Sequence, residues 1–309
     1  MAGPKSSLYP TQLFNYEVCP QKFLWCSGWD GIDLGRGPGK PKARPEDKSK
    51  HHALMGIVIQ GVLEDFYNKE LWKQGGDVEG RLVKMVRERF SNELPRMHID
   101  WTWSPPWEEL LETCENGVTG YLKTMKHHKF LGPYAKSEVK VSGHVGDVKI
   151  AGKLDFLIQR EDTGVSILDG KNSSTKMKYN NPDQLRHYAL AFSLEYGRLP
   201  NRLGFVWFRY PYDEESGEEG VDWINFTRRD LKELADRAIQ AKRGMIREEF
   251  PAFTKAKHCN LCDFEGVCPE RQAAKEANRA KRAKRKESLP IIDASNGPVD
   301  VGFLGELLE

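Results

Sequence analysis

The chain has no apolar run approaching a membrane span, and its opening residues, MAGPKSSLYP, carry no apolar stretch. The first absence excludes an obvious transmembrane helix, and no membrane partner is expected. The second leaves no secretory leader to expect, so the expected location is cytoplasmic. Net charge is almost absent, at +2 over 309 residues, so any affinity for nucleic acid has to come from local patches. Cysteine is sparse, with six in the whole chain. In a leaderless protein of this size those six point to metal or free thiols more than to disulfides. No internal repeat is visible, which argues against a solenoid. What remains is a chain with 30% charged and 39% hydrophobic residues, long enough to bury one large core or two small ones.

The most informative stretch is 151–171, AGKLDFLIQREDTGVSILDGK. It reads as strand, turn, strand. Leu154, Phe156 and Ile158 alternate with Asp155 and Leu157, the break falls at 161–164, and a second run ends in Asp169-Gly170-Lys171. Alternation puts Asp169 and Lys171 on one face, and a hairpin in natural register lets Asp155 reach it. Two carboxylates and one ammonium are costly to bury unless the carboxylates hold a cation. Oxygen ligands of this kind suit Mg²⁺ or Mn²⁺. The plain alternative is a surface hairpin with solvated charges.

Around this hairpin the pattern predicts helices over 8–29, 52–72, 79–95 and 108–130, the first broken at Cys19-Pro20 and N-capped by Thr11. Leu13, Tyr16 and either Phe23 or Leu24 are expected on the inner face of the first. Leu54, Ile57, Val58, Val62, Leu63 and Phe66 form that of the second. Residues 30–50 read as a mobile loop, and 97–107 as an aromatic loop able either to stack bases or to pack as a lid. Strands are expected at 136–142 and 147–159, with Gly143 and Gly146 at their turn. A helix follows at 178–196, with Pro182 fitting its first turn, then strands at 203–210 and 221–226 and a helix from Thr227 to about 249. A Lys/Arg-rich helix covers 271–287, and the tail 288–309 has no periodicity. This order implies an α/β fold with one mixed sheet flanked by helices, in which 178–196 is a crossover placing 203–210 parallel to an earlier strand.

The second constellation is Cys259-x2-Cys262-x5-Cys268. Thiols at this spacing can converge on one metal, with Cys19 the best fourth ligand and Cys26 a substitute. Zinc and an iron–sulfur cluster both remain open. Cys114 reads as a free core cysteine.

Together these residues resemble the RecB-type nucleases of the PD-(D/E)XK superfamily. The closer likeness is to the iron–sulfur branch that includes the CRISPR-associated adaptation exonucleases and AddB-type nuclease domains. Leu13-x2-Tyr16-x2-Cys19-Pro20-x2-Phe23 is similar to that branch's N-terminal signature. Gly152-Lys153-Leu154-Asp155 and Leu168-Asp169-Gly170-Lys171 look like its metal-binding motifs, Gln184-x3-Tyr188 like its Q-x3-Y helix, and Cys259, Cys262 and Cys268 like its C-terminal ligands. One position departs: the family's first core helix carries a His between Gly56 and Glu64, where this chain has Gln60.

The resemblance implies a restriction-endonuclease-like sheet whose N- and C-terminal segments are joined by a four-cysteine metal cluster, usually 4Fe–4S, with zinc as the alternative. It implies a domain plan of 1–50 (cluster Cys and loop), 51–250 (nuclease core with a helical insertion near 75–130), 251–287 (cluster loop and basic helix) and 288–309 (tail). It implies hydrolysis of DNA, as single strands or ends, by an exonuclease. Asp155, Asp169 and Gln60 would hold Mg²⁺ or Mn²⁺, Lys171 would orient water or stabilise charge, and Gln184 and Tyr188 would position them. Partners would belong to recombination or CRISPR adaptation. Arg186 or His187 could touch a phosphate, and the runs Arg228-Arg229, Lys242-Arg243 and 281–286 could line a DNA path. A non-catalytic DNA-binding module of the same fold, or a zinc protein with an accidental D-x-K, are the competing readings.

Overall fold

The computed structural model describes residues 7–27, 51–102, 104–176, 181–259, 262, 264–266 and 268–287, the side chains of 26, 27, 256, 257 and 282–287 excepted. The expected loop at 30–50, the tail at 288–309, Trp103, the Cys26 side chain and the side chains of 282–286 lie outside what is described. The chain divides into two compact units, Met1–Phe253 and Thr254–Glu309.

The first unit is built on a six-stranded mixed sheet. Its strands are β1 (Ser7–Leu8), β2 (Ala135–Val145), β3 (Val148–Arg160), β4 (Gly164–Lys171), β5 (Arg202–Trp207) and β6 (Val221–Ile224). The path runs β1-β3-β4-β5-β6, with β2 also paired to β3. The β2–β3 and β3–β4 pairs are antiparallel hairpins, and β5–β6 is antiparallel. Between β4 and β5 the chain leaves the sheet and returns parallel, Asp169 beside Phe205. The connection contains the predicted crossover helix, here α6 in chain order (Pro182–Tyr196), with Asn181 capping it and Pro182 in its first turn.

Helices cover both faces. The earlier ones are α1 (Pro10–Val18), α2 (Pro20–Ser27), α3 (His51–Asn68), α4 (Val78–Glu93) and α5 (Trp107–His127), and α7 is Arg228–Ile246. One apolar cluster joins Leu13, Leu185, Ala189, Phe192, Leu231 and Ala238 to sheet residues such as Ile167 and Phe205. The other joins Leu54, Val58, Phe66, Phe90 and Tyr121 to Phe156, Leu168 and Val206. Alternation along the strands explains the division: Val165 and Ile167 face one cluster and Leu168 the other. No described helix is long and apolar enough to cross a membrane.

Some expectations are corrected locally. The first helix is entered through Tyr9 rather than Thr11, because the Gln12 side chain accepts from the Tyr9 amide. Ile57 is 40% exposed and belongs to no core face. Gly143 lies inside β2, and the turn falls at 146–147. Among the basic residues, Lys242 is buried and so lines no surface path. In the second unit, α8 (Ala256–Cys259) precedes α9 (Pro269–Glu287), where Glu265 pairs with Arg271 and Lys275.

His187 and Arg186 are not free to meet a phosphate. Arg186 pairs with Asp183 and Asp230. His187 is fully buried and its Nε2 donates to the Ala151 carbonyl at 3.0 Å, pinning α6 to β3. Burial disfavours the imidazolium and pushes this group down to about 4. An unfolded histidine titrates near 6.5, so the unfolded chain binds the extra proton first as pH falls. The contribution of neutral His187 is therefore complete above about pH 6.5 and lost progressively towards pH 4. Other buried groups titrate in the same window, and comparison with His187→Gln isolates this one. The stability advantage of the wild type over the variant is expected to shrink by roughly 3 kcal/mol between pH 6.5 and 4. Chemical denaturation across that range checks it, and a constant difference would contradict it.

Candidate active site

The site forms where β3 and β4 part and α6 returns over them. Phe156 pairs with Leu168, and continuing that register sets Asp155 opposite Asp169. The β3 strand changes sides at this point. Leu154 and Leu157 both pack in the α6-side cluster although regular alternation would separate them, while Phe156 and Ile158 join the α3–α5 side. On the adjoining strand Ser137 pairs with Phe156 and Val139 with Leu154, so Glu138 lies across from Asp155. Glu138 has φ 58°, a left-handed conformation that is costly for a non-glycine residue. The reversal frees Asp155 from the ladder, and its Oδ2 accepts the Gly170 amide at 2.9 Å.

Gln184, in the first turn of α6, organises the rest. Its Nε2 donates to Asp169 Oδ1 at 2.9 Å, and its Oε1 accepts from Lys171 Nζ at 3.0 Å. Only one amide orientation satisfies an acceptor-only carboxylate and a donor-only ammonium. Tyr188, one turn later, places its hydroxyl 3.2 Å from the same Nε2. Its ring fills the space a side chain at position 152 would need: a Cβ there would come within 2.9 Å of Tyr188. Lys171 Nζ lies 2.5 Å from Asp169 Oδ2 and 5.2 Å above the Phe205 ring.

Electrostatically the site is unbalanced. Asp169 is 2% exposed, and burial raises its pKa against the pull of Lys171. Burial, then the Asp169 charge, raises Asp155 to about 7. Apart from the ion pair with Lys171, Asp169 Oδ2 has no hydrogen-bond donor among the described residues. Lys171 pairs with Asp169, and Lys153, whose charge also favours ionised Asp155, is taken up by Glu138, so carboxylates outnumber ammoniums here. Hard oxygen donors in excess of positive charge fit a divalent cation such as Mg²⁺ or Mn²⁺.

The sequence profile of the PD-(D/E)XK nuclease superfamily matches residues 7–269. The chain belongs to this superfamily. No curated protein matches it. Among solved structures it is similar to the crystal structure of SSO0001 at 17% identity and TM-score 0.33, covering 71% of this chain and 96% of that one. The register of this PD-(D/E)XK chain places Asp155, within β3, beside the Asp169-Gly170-Lys171 end of β4.

The other sequence-predicted residues divide. Gln60 lines a cleft of about 540 Å³ together with Gly170, Lys171 and Gln184. Glu64 does not line it. The same cleft takes in His52, Asn172 and Arg209, which sequence reasoning missed. His52 was legible in principle, since 52, 56 and 60 share one helical face. Nothing local marked Arg209, just past β5. Cys19 caps the gap between α1 and α2 and is half-buried. In the second unit Cys259, Cys262 and Cys268 are half-buried thiols outside any disulfide, with Cys262 donating its amide to the Cys259 carbonyl. Among the described residues, the one trio of His, Cys, Asp or Glu with ligand atoms within 4.8 Å of each other is His127, His128 and Glu219.

Removing one of two mutually repelling buried carboxylates should stabilise the fold and remove the cation's hold. Asp155→Asn is expected to be about 1–3 kcal/mol more stable than the wild type in chelator. Millimolar Mn²⁺ is expected to raise the wild-type melting temperature and leave the variant unmoved. Equal responses of the two proteins to Mn²⁺ would contradict the assignment.

Proposed function

We propose that the chain is a metal-dependent deoxyribonuclease, of RecB type, that hydrolyses phosphodiester bonds in single-stranded DNA or at DNA ends. The observation that carries this is Gln184 clamped between Asp169 and Lys171, with Asp155 held alongside by the Gly170 amide. Asp155 and Asp169 would hold Mg²⁺ or Mn²⁺, with Gln60 at the cleft wall as an amide in place of the family's imidazole. Such an ion, when bound, lowers the pKa of water and neutralises charge on a scissile phosphate.

The chain's own groups do the rest. Gln184 holds Asp169 by its Oδ1 and Lys171 by its Nζ at once, so Oδ2 is the oxygen left for a cation and Lys171 stays within reach of the site. Tyr188 holds the Gln184 amide in that orientation. Lys171 orients the attacking water and offers its charge to the phosphoryl oxygens as the new P–O bond forms and the ester bond breaks. The positioning is finished before substrate arrives, which is where such electrostatic help is largest.

Membership of the iron–sulfur branch is part of the same proposal. Cys19, Cys259, Cys262 and Cys268 supply four thiols, the last three close together in sequence, a donor set suited to a 4Fe–4S cluster. Its role would be structural, closing the domain plan of an N-terminal segment, a core over 51–250 and a C-terminal cluster loop. Partners in recombination or CRISPR-type adaptation fit that branch.

Two measurements test this. End-labelled single-stranded DNA is expected to be degraded with Mg²⁺ or Mn²⁺ and left intact with chelator. Lys171→Ala and Asp169→Asn are expected to lower the rate at least about a hundredfold while oligonucleotide binding by Lys171→Ala persists. Cleavage that survives both chelator and Lys171→Ala would exclude the mechanism. Separately, protein purified without oxygen is expected to be brown, with iron and labile sulfide and an absorption that bleaches on reduction. Cys262→Ser should lose the colour. A colourless protein holding stoichiometric zinc would replace the cluster with a zinc site.

A further inference from the structure

The cleft beside the carboxylates has three features that the proposed chemistry does not use. The first is Asn172, directly after Lys171. Both its amide nitrogen and its amide oxygen are buried and have no hydrogen-bond partner among the described residues. An amide in that state is expensive, and native proteins keep few of them without a ligand or ordered water to answer them. The second is Arg209. Its guanidinium reaches the sulfur of Met55 at 3.9 Å, a weak acceptor, and no carboxylate among the described residues pairs with it. The third is Gly56, in the interior of α3. Glycine is the poorest helix former after proline. Packing does not require it here, for a Cβ at this position would meet nothing within 4 Å among the described residues.

These three residues line the same cleft as Gln60, Lys171 and Gln184. A donor amide and an uncompensated guanidinium converge on a space that a glycine keeps open on one wall. Guanidinium and amide N–H groups answer the non-bridging oxygens of a phosphodiester, and close passage of a backbone is what a side-chain-free helix position allows.

We propose that this cleft seats the phosphate flanking the scissile bond: Arg209 and the Asn172 amide donate to its oxygens, and Gly56 gives the strand clearance across α3. The inference rests on the phosphodiesterase reading of Asp155, Asp169 and Lys171, because Lys171 borders both the cleft and the carboxylates. It adds a second anchor, which sets where along the strand the cut falls.

The test is binding of a fluorescent single-stranded oligonucleotide to the full chain in chelator, where nothing is cut. Arg209→Ala and Asn172→Ala are each expected to weaken binding about ten- to a hundredfold. Neither should lower the melting temperature, since one removes an exposed side chain and the other a buried amide without partners. Neutralising a single phosphate as a methylphosphonate should weaken wild-type binding at one position, and that loss should vanish in Arg209→Ala. Gly56→Ala is expected to melt at a higher temperature and bind more weakly. Wild-type affinity in Arg209→Ala and Asn172→Ala would overturn the seat, as would Gly56→Ala binding normally while more stable. Loss of affinity for inorganic phosphate but not for the oligonucleotide would mark a free-anion site and overturn it too. Because binding is read without cleavage, an inactive Arg209→Ala that binds normally sinks the seat alone. A Lys171→Ala that still cuts sinks the nuclease reading alone.

Discussion

Two carboxylates held side by side in a buried place, with the nearest ammonium paired to only one of them, form an arrangement that folding opposes. Asp155 and Asp169 each lose hydration and each raise the cost of the other's charge. Lys171 compensates one of them. The rest of the site is a set of devices that keep this strained trio in place: the Gly170 amide on Asp155, the Gln184 amide spanning Asp169 and Lys171, and the Tyr188 hydroxyl behind Gln184. A protein of marginal stability retains such a cluster where the imbalance is answered by something bound.

The fold serves that cluster at three levels. The parallel β4–β5 pair requires a crossover, and α6 is the crossover that carries Gln184 and Tyr188 back over the strand ends. Buried His187 ties the same helix to β3 through the Ala151 carbonyl, so the helix that holds the trio is itself anchored beneath it. The reversal at Asp155, with Glu138 strained across from it, turns the carboxylate out of the ladder towards Asp169. Local strain of this kind is retained where the surrounding structure over-determines it.

Much of this was legible beforehand, for identifiable reasons. The hairpin, the crossover and the mixed sheet follow from alternation and from the length of the segment read as a helix over 178–196, and both signals are local. The pairing of Gln184 with Lys171 needed only the four-residue spacing to Tyr188 and the D-x-K. The reversal in β3 was not legible, because Leu154, Phe156 and Ile158 look like one face and only the neighbouring strand's conformation at Glu138 breaks it. Arg209 and Asn172 were invisible for a different reason. Their proposed role rests on what they lack among the described residues, hydrogen-bond partners for the Asn172 amide and a carboxylate for Arg209, and such an absence is a tertiary fact. Gly56 was read as a motif position, whereas among the described residues no packing contact accounts for it.

The proposed chemistry requires one cation shared by Asp155 and Asp169. Crystals grown with saturating Mn²⁺ and measured at the manganese absorption edge address it directly. The expected result is an anomalous peak within coordination distance of both Asp155 and Asp169, with Lys171 displaced from Asp169 Oδ2 or sharing it. A peak confined to another site, or an unchanged Lys171–Asp169 pair with no metal beside it, would contradict the account.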